Sequence, residues 1–226
     1  MAIICKKYNL LFIMTPRTAC TAIGKILIDE LNGEYLPSEN KFDENGFREL
    51  TTKHTTVSDL LKYNILSKED LSRLYKFTAV RNPYDSLASF YIKKKHKYAN
   101  LLNDPDSWVY QIKGYKEDME YCRDHTFNQW IFKNYSRSVI KRMLGYNTDM
   151  YHLFTDGVDR VLKFENINTD LNRMMKDLGI NKTLEIPLIN KTSERKKDYR
   201  DYYSGISRAI VGFAFADTLK KYRYSF

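Results

Sequence analysis

The chain has 226 residues, and its 37 lysines and arginines exceed its 28 aspartates and glutamates, which gives a formal net charge of +9. This length predicts one domain with a real core, and the charge suits an anionic cofactor, an acidic acceptor, nucleic acid or simply solubility, without choosing among them. The three cysteines, Cys5, Cys20 and Cys122, show no paired spacing, so a disulfide scaffold or a zinc site is not expected and a reducing compartment is favoured.

The first anion-binding pattern lies near the start of the chain. Residues 8–14 have the length and apolar character of a strand, which leaves no room ahead of it for a signal peptide or membrane anchor, so a cytoplasmic protein is expected. The sequence then breaks at T-P-R-T-A-C-T before an apolar-periodic helix over residues 22–31. Strand, loop and helix in this order predict a phosphate cradle, in which the N–H groups of Ala19, Cys20 and Thr21 face bound oxygens.

Side chains add to this predicted cradle. Arg17 supplies a full positive charge and Thr21 a hydroxyl. The loop is not a Walker A motif, and no magnesium-holding carboxylate follows a later strand, so no metal is expected. Beyond the helix, residues 34–56 predict loop and short extended pieces that end near His54. S-K-E-D at 67–70 predicts a capping box for a short helix.

The second anion-binding pattern centres on Arg81. Residues 77–80 are β-prone and uncharged, Asn82 is a good N-cap, and Pro83 suits the first position of a helix. Arg81 is therefore predicted at the carboxyl end of a strand, where open α/β sheets bind their ligands. Ser89 lies on the flank of the helix that follows, so the two side chains together could hold a phosphate.

The rest of the chain predicts helices and one more strand. The run K-K-K-H-K at 93–97 predicts a solvated helix end. The other predicted elements are helices over 106–122 and 126–144, a strand over 159–164, a helix capped by Asn168 and ended by Gly179, and a helix over 206–222. Strands that alternate with helices predict an α/β fold with a central parallel sheet covered by helices.

Taken together, P-R-T-A-C-T-A at 16–22 and R-N-P-Y-D-S-L-A-S at 81–89 resemble the two nucleotide-binding motifs of the sulfotransferase family that uses 3′-phosphoadenosine 5′-phosphosulfate (PAPS). The resemblance implies a three-layer fold like that of P-loop NTPases. It also implies that the first motif holds the 5′-phosphosulfate and the second the 3′-phosphate.

The second motif matches the family pattern at every fixed position, whereas the first departs from it at three. Arg17 stands for the usual Lys, Ala19 for the usual Gly, and Cys20 for a usual Ser or Thr. We therefore expect a loop that avoids positive φ at Ala19, and only a weak side-chain donor at Cys20.

The resemblance extends along most of the chain. K-H-T-T at 53–56 looks like the His-containing segment of carbohydrate-type members, and V-L-K-F-E-N-I at 161–167 looks like their late strand. Residues 98–136 are least like the family, and would form a helical substrate-side insertion in a single domain over 1–226. The cofactor-binding residues implied by the resemblance are Arg17, Thr18, Ala19, Cys20, Thr21, Ala22, Arg81, Ser89, Ser193, Arg195, Lys196 and Lys197.

The function implied is in-line transfer of the sulfuryl group of PAPS to an acceptor hydroxyl, with adenosine 3′,5′-bisphosphate as the product. His54 would remove the hydroxyl proton, a task suited to an unperturbed pKa near 6.5, and Arg17 would stabilise the developing charge. Glu49 and Asp59 are alternatives for the base, because some relatives use Glu in this role.

The acceptor is left open by the sequence. The carbohydrate-type resemblance favours a saccharide hydroxyl, while a phenol, a lipid or a small alcohol stays open. Neither nucleic acid nor a membrane anchor is expected as a partner, and the sequence predicts no oligomeric state. Two other functions remain: a catalytically degenerate nucleotide-binding protein of the same fold, and a basic nucleic-acid-binding module. A kinase or NTPase is disfavoured, because its lysine loop and magnesium carboxylates are not visible.

Overall fold

The computed structural model of the chain describes residues 2–51, 53–187 and 198–226. These residues form two compact units. The first unit comprises residues 1–42, 49–81 and 153–191, and the second comprises residues 43–48, 82–152 and 192–226, in each case as far as they are described. Among the described helices, none combines the length and the apolar character needed to cross a membrane.

The first unit is built on a five-stranded mixed sheet. The strands of the chain are β1 (Ala2–Cys5), β2 (Leu10–Ile13), β3 (Glu34–Leu36), β4 (Lys41–Phe42), β5 (Arg48–Leu50), β6 (Tyr75–Val80) and β7 (Arg160–Lys163). The sheet has the order β3-β1-β2-β6-β7, in which β2, β6 and β7 are parallel, while β1 is antiparallel to both β2 and β3. The prediction of an α/β fold with a central parallel region is confirmed.

The sequence did not predict β1, and this strand makes the sheet mixed. A short 3-10 turn over Lys6–Tyr8 and Asn9, at φ 51°, join β1 to β2. Such a short connection can only join antiparallel neighbours, because parallel strands need a crossover of a dozen or more residues.

Helices cover both faces of this sheet. The α-helices are α1 (Cys20–Leu31), α2 (Val57–Lys62), α3 (Lys68–Arg73), α4 (Pro83–Ile92), α5 (Tyr115–Asp124), α6 (Phe127–Met143), α7 (Met150–Thr155), α8 (Ile167–Asp177), α9 (Gly205–Ala214) and α10 (Ala216–Lys221). Successive strand residues point to opposite faces. Accordingly, Phe12 packs in one core cluster with residues of α1 and α8, and Leu11 packs in a second cluster with residues of α2 and α3. This arrangement matches the predicted three layers.

Several predicted element boundaries need correction. The capping box at Ser67 and Asp70 is present as predicted. Asn168, however, lies inside α8, whose N-cap is Asn166, and the Asn168 side chain accepts a hydrogen bond from the backbone N–H of Ile186 at 3.0 Å. The predicted terminal helix over 206–222 is two helices, since α9 ends at Ala214 and α10 begins at Ala216.

The second unit is mainly helical, and its most unexpected segment is the lysine run. Lys93–Lys97 forms a π-helical turn after α4, which we call the lysine turn. The prediction that this run is a solvated helix end is wrong for Lys93 and Lys94, which are both buried. Lys94 forms an ion pair with Asp118 on α5, and its ammonium lies 4.1 Å from the ring centroid of Phe90. A buried cation needs such partners, because its charge has lost the stabilisation of water.

Candidate functional site

The loop between β2 and α1 is held in shape by a buried chain of hydroxyl groups. Thr78 on β6 donates to the carbonyl oxygen of Ile13 at 2.7 Å, so the 2.7 Å contact between the Thr15 and Thr78 hydroxyls has Thr15 as its donor. Thr18 donates its hydroxyl hydrogen to the carbonyl oxygen of Thr15 at 2.8 Å. The loop is therefore fixed to the end of the parallel sheet before any ligand binds. Thr15 and Thr78 were not predicted as site residues, because no motif marks them.

The backbone of this loop contradicts one expectation. Arg17 and Ala19 both have positive φ, at 66° and 59°. We expected the loop to avoid this region at Ala19, because a Cβ makes it costly. The loop instead keeps the shape that a glycine would adopt freely, and Ala19 is the N-cap of α1.

The side chains at the start of α1 divide into buried and exposed ones. Cys20 is buried in the core cluster of the first unit, and burial raises the pKa of its thiol, so it stays protonated. Ala22 is buried as well, and its N–H donates to the carbonyl oxygen of Ala19 at 2.9 Å. Thr21, by contrast, is exposed. Of the predicted contacts at this helix end, the Thr21 hydroxyl and the first N–H groups of the helix are the ones positioned to meet a ligand.

His54 lies against the start of the same loop. Its Nδ1 is 2.7 Å from the carbonyl oxygen of Met14, directly after β2. A carbonyl oxygen can only accept, so Nδ1 carries the hydrogen and the neutral ring has its lone pair on Nε2. Burial, reinforced by the nearby charges of Lys53 and Arg17 and opposed by the bond to Met14, lowers the His54 pKa to about 4. The expected unperturbed pKa near 6.5 is therefore corrected.

Arg81 joins the second predicted motif to the first. It follows β6 directly, and its Nη1 donates to the carbonyl oxygen of Arg17 at 3.1 Å. Its guanidinium carbon lies 4.1 Å from the ring centroid of Phe164, the residue after β7. An aromatic face holds a guanidinium in place without neutralising its charge. Phe164 was not predicted as a site residue, although the segment V-L-K-F-E-N-I that contains it was predicted to match a strand of the family.

These contacts define one cluster within the first unit. The strand-end site, as we call it, consists of residues 14–22, His54, Arg81 and Phe164. It lies at the carboxyl ends of the parallel strands β2, β6 and β7. Two guanidinium groups and a helix N-terminus in one place give it the positive potential needed to bind a phosphate or sulfate group.

The other predicted site residues lie elsewhere. Ser89 is buried on α4 in the second unit. Ser193, Arg195, Lys196 and Lys197 lie outside the described residues, so their predicted roles stay predictions. Glu49, one alternative base, is exposed on β5, and Asp59, the other, accepts from the N–H and hydroxyl of Thr56 in a capping box at the start of α2.

Within the described ranges, no three His, Cys, Asp or Glu side chains lie close enough together to hold a metal ion. No curated protein and no solved structure is significantly similar to the chain. A sequence profile described as the sulfotransferase family matches residues 1–216, which run through both units. The reaction of that family is transfer of a sulfuryl group to an acceptor. This match covers nearly the whole chain, and the chain therefore belongs to the sulfotransferase family.

Proposed function

We propose that the protein transfers the sulfuryl group of PAPS to the hydroxyl of an acceptor. One observation carries the proposal. The two arginines and the histidine of the predicted motifs converge on one loop, because Arg81 donates to Arg17 O and His54 donates to Met14 O. These contacts join residues that are 40 and 64 positions apart in the sequence, and they lie where parallel strands end. This is the usual place for a ligand in α/β proteins.

The residues present fit a nucleotide with two anionic ends. The 5′-phosphosulfate would meet the N–H groups of Cys20 and Thr21, the hydroxyl of Thr21 and the charge of Arg17. The 3′-phosphate would meet Arg81 and, by the motif, Ser89. Thr18 and Cys20 contribute through backbone and loop shape, since the Thr18 hydroxyl donates to Thr15 O and the Cys20 thiol is buried. Ala19 and Ala22 would likewise act through the backbone. We keep Ser193, Arg195, Lys196 and Lys197 as proposed contacts from the family resemblance.

The proposed sulfuryl transfer requires a base and stabilisation of negative charge. PAPS, when bound, supplies an activated sulfuryl group. Nε2 of His54 would accept the hydroxyl proton while the acceptor oxygen bonds to sulfur and the bond to the 5′-phosphate oxygen breaks. Because the pKa of His54 is about 4, the ring is neutral at neutral pH and can accept a proton, although it is a weak base. Proton transfer would accordingly come late, when the attacking oxygen has become acidic. Arg17 would stabilise the charge on the sulfuryl and leaving oxygens.

The acceptor in our proposal is a saccharide hydroxyl. The support is the placing of K-H-T-T at 53–56, which resembles carbohydrate-type members. We further propose one sulfotransferase domain over 1–226, because the family match runs through both units, and a reducing compartment such as the cytoplasm, because all three cysteines are free and buried. The insertion over 98–136 stays a prediction.

A second candidate is a protein that binds the nucleotide without transferring the group. The lowered pKa of His54 favours it, because a base this weak contributes less to proton abstraction. Binding of the nucleotide with no turnover over a broad panel of saccharide acceptors would select this candidate.

The first test is nucleotide binding. We expect calorimetry to show tighter binding of adenosine 3′,5′-bisphosphate than of ATP or an oligonucleotide. Arg81→Ala should abolish that binding, since a charge-assisted contact to a dianion is lost, while Ser89→Ala should weaken it by about 1 to 2 kcal/mol. Arg173→Ala is the matched control, because Arg173 is exposed on α8 of the same unit. Preference for ATP, or unchanged affinity in the Arg81 variant, would contradict the proposal.

A further inference from the structure

The exposed large hydrophobic side chains of the protein concentrate on two helices of the second unit. On α6 and the turn after it they are Phe132, Ile140, Met143, Leu144 and Tyr146, and on α9 they are Ile206 and Phe213. Their exposed fractions lie between 41% and 75%. Single exposed hydrophobic residues are normal on a surface, whereas seven on two packed helices and the turn after one of them require an explanation.

The spacing of these residues places them in stripes. Phe132, Ile140 and Met143 are eight and three residues apart, so they lie along one side of α6. Ile206 and Phe213 are seven residues apart and lie along one side of α9, with the half-buried Ile210 between them. Each helix therefore presents a second apolar stripe besides the one that it buries.

The two stripes meet to form one surface. Phe132 on α6 lines a shared groove of about 270 Å³ with Ile206 and Ile210 on α9. Near the other end of the helices, the guanidinium of Arg142 lies 5.9 Å from the ring centroid of Phe213. We call the exposed apolar side chains of α6, of the turn after it and of α9 the α6/α9 face.

The two segments that form this face are rich in positive charge. Residues 125–148 contain no Asp or Glu and carry Lys133, Arg137, Lys141 and Arg142. Residues 204–226 carry Arg208, Lys220, Lys221 and Arg223. Their one acidic residue is Asp217, whose two oxygens bind Arg142 at 2.7 and 2.8 Å. These two segments, 125–148 and 204–226, supply most of the net charge of the chain.

We propose that the α6/α9 face binds the surface of an anionic lipid membrane. Apolar side chains flanked by lysines and arginines are what an interfacial helix needs, because the former enter the acyl boundary and the latter meet anionic headgroups. A second copy of the chain fits poorly, since a symmetric contact would bring two cationic faces together. Nucleic acid would meet the cations but would leave Ile140 and Met143 in water.

The test is cosedimentation of the full-length protein with lipid vesicles. We expect strong binding to phosphatidylcholine vesicles that contain about 30% phosphatidylserine, weak binding to pure phosphatidylcholine, and loss of binding at high salt. The readout needs no substrate and no turnover. The lipid proposal and the sulfotransferase proposal can therefore fail independently.

Two double variants test the two halves of the face. Arg137→Gln with Lys141→Gln should weaken binding to the anionic vesicles roughly 20-fold, because two cations leave the headgroup region. Ile140→Gln with Met143→Gln should weaken binding to a similar degree by removing the apolar contact. The matched controls are Lys68→Gln with Lys176→Gln for charge and Phe42→Gln with Leu153→Gln for exposed apolar area. Circular dichroism confirms that each variant is folded.

Three results would overturn the proposal. The first is that the control variants reduce vesicle binding as much as the variants of the α6/α9 face do, or that the variants of the face leave vesicle binding unchanged. The second is a lipid-free dimer that Ile140→Gln with Met143→Gln converts to a monomer, since the face would then belong to a second copy. The third is oligonucleotide binding that depends on Arg137 and Lys141 while vesicle binding does not.

Discussion

Two cationic regions of the chain use the same type of charge in opposite ways. In the strand-end site, Arg17 and Arg81 are half-buried, and the contacts of Arg81 include a backbone carbonyl and the face of Phe164. In the lysine turn, Lys94 is buried against Asp118, which also accepts from Trp130 Nε1 at 2.9 Å. Within the run K-K-K-H-K, Lys94 is thus neutralised by a carboxylate.

The comparison shows that the groups around a cation decide whether it lies at a candidate binding site or forms part of the core. A backbone carbonyl oxygen and an aromatic ring orient the guanidinium of Arg81 at the carboxyl end of β6. The half-buried carboxylate of Asp118 instead neutralises Lys94, which is part of the core. Substitutions in the two regions should accordingly affect different properties, namely turnover in the first and stability in the second.

The largest expected effect is on turnover in the strand-end site. Arg17→Ala should lower kcat on the order of 1,000-fold, and should weaken binding of adenosine 3′,5′-bisphosphate far less, because the contact grows as charge builds in the transition state. The measurements are PAPS turnover with an acceptor and calorimetry with the bisphosphate. Arg17→Lys, which restores the usual residue of the family, should recover much of the rate. Equal losses of rate and affinity in Arg17→Ala would mean that Arg17 only holds the nucleotide.

The counterpart in the lysine turn should be a loss of stability. Lys94→Met leaves the half-buried Asp118 without its cation and should lower the free energy of unfolding by about 3 kcal/mol in chemical denaturation. The control is Lys113→Met in the same unit, whose lysine is exposed and which should change stability by less than about 0.5 kcal/mol. Adding Asp118→Asn to Lys94→Met should recover part of the loss. A fully stable Lys94 variant would show that the comparison is wrong.

A smaller loss of turnover is expected when His54 is replaced. Asn tolerates the positive φ of 65° found at this position and can still donate to Met14 O, but it lacks Nε2. His54→Asn should therefore keep bisphosphate binding and lose roughly 100-fold in turnover. Near-normal turnover in this variant, with collapse in Glu49→Ala or Asp59→Ala, would assign the base to a carboxylate.

The pH dependence follows from the lowered pKa of His54. The neutral form is the active one, so the rate should be nearly constant between about pH 5 and 8 and should fall as pH drops through about 4. Stability should fall as pH drops from 6.5 toward 4, because the unfolded state takes up the proton first; the loss is at most about 3 kcal/mol. His54→Asn should remove this contribution. A rate that instead rises through pH 6.5 would contradict the burial of the ring.

The smallest effect concerns the backbone of the loop. Ala19→Gly removes the Cβ from a residue at φ 59° and should raise the free energy of unfolding by about 1 kcal/mol. Ala22→Gly, three residues further on within α1, should lower it by about 1 kcal/mol, because a helix interior favours Ala. Thermal unfolding of both variants measures the difference. Destabilisation by Ala19→Gly would show that the positive φ carries no strain.

Local signals predicted much of the fold. The apolar run at 8–14 contains β2, and the capping box at Ser67 begins α3, because a strand or a cap depends on a few neighbouring residues. The strand β1 was missed, because four apolar residues without alternation are too short to distinguish a strand from other buried segments. Asn168 was misplaced as a cap, because its side chain bonds to Ile186, a partner that no local pattern reveals.

Local patterns were enough to predict which groups could bind an anion and in what order they occur, because the motifs around Arg17 and Arg81 are strand, loop and helix patterns whose chemistry can be recognised directly. How those groups behave depends on the tertiary structure. The hydrogen position and lowered pKa of His54, the place of Arg81 over Phe164 and the neutralisation of Lys94 all depend on residues distant in sequence. Burial and long-range contacts set pKa values and available charge, and no local pattern of residues encodes either of them.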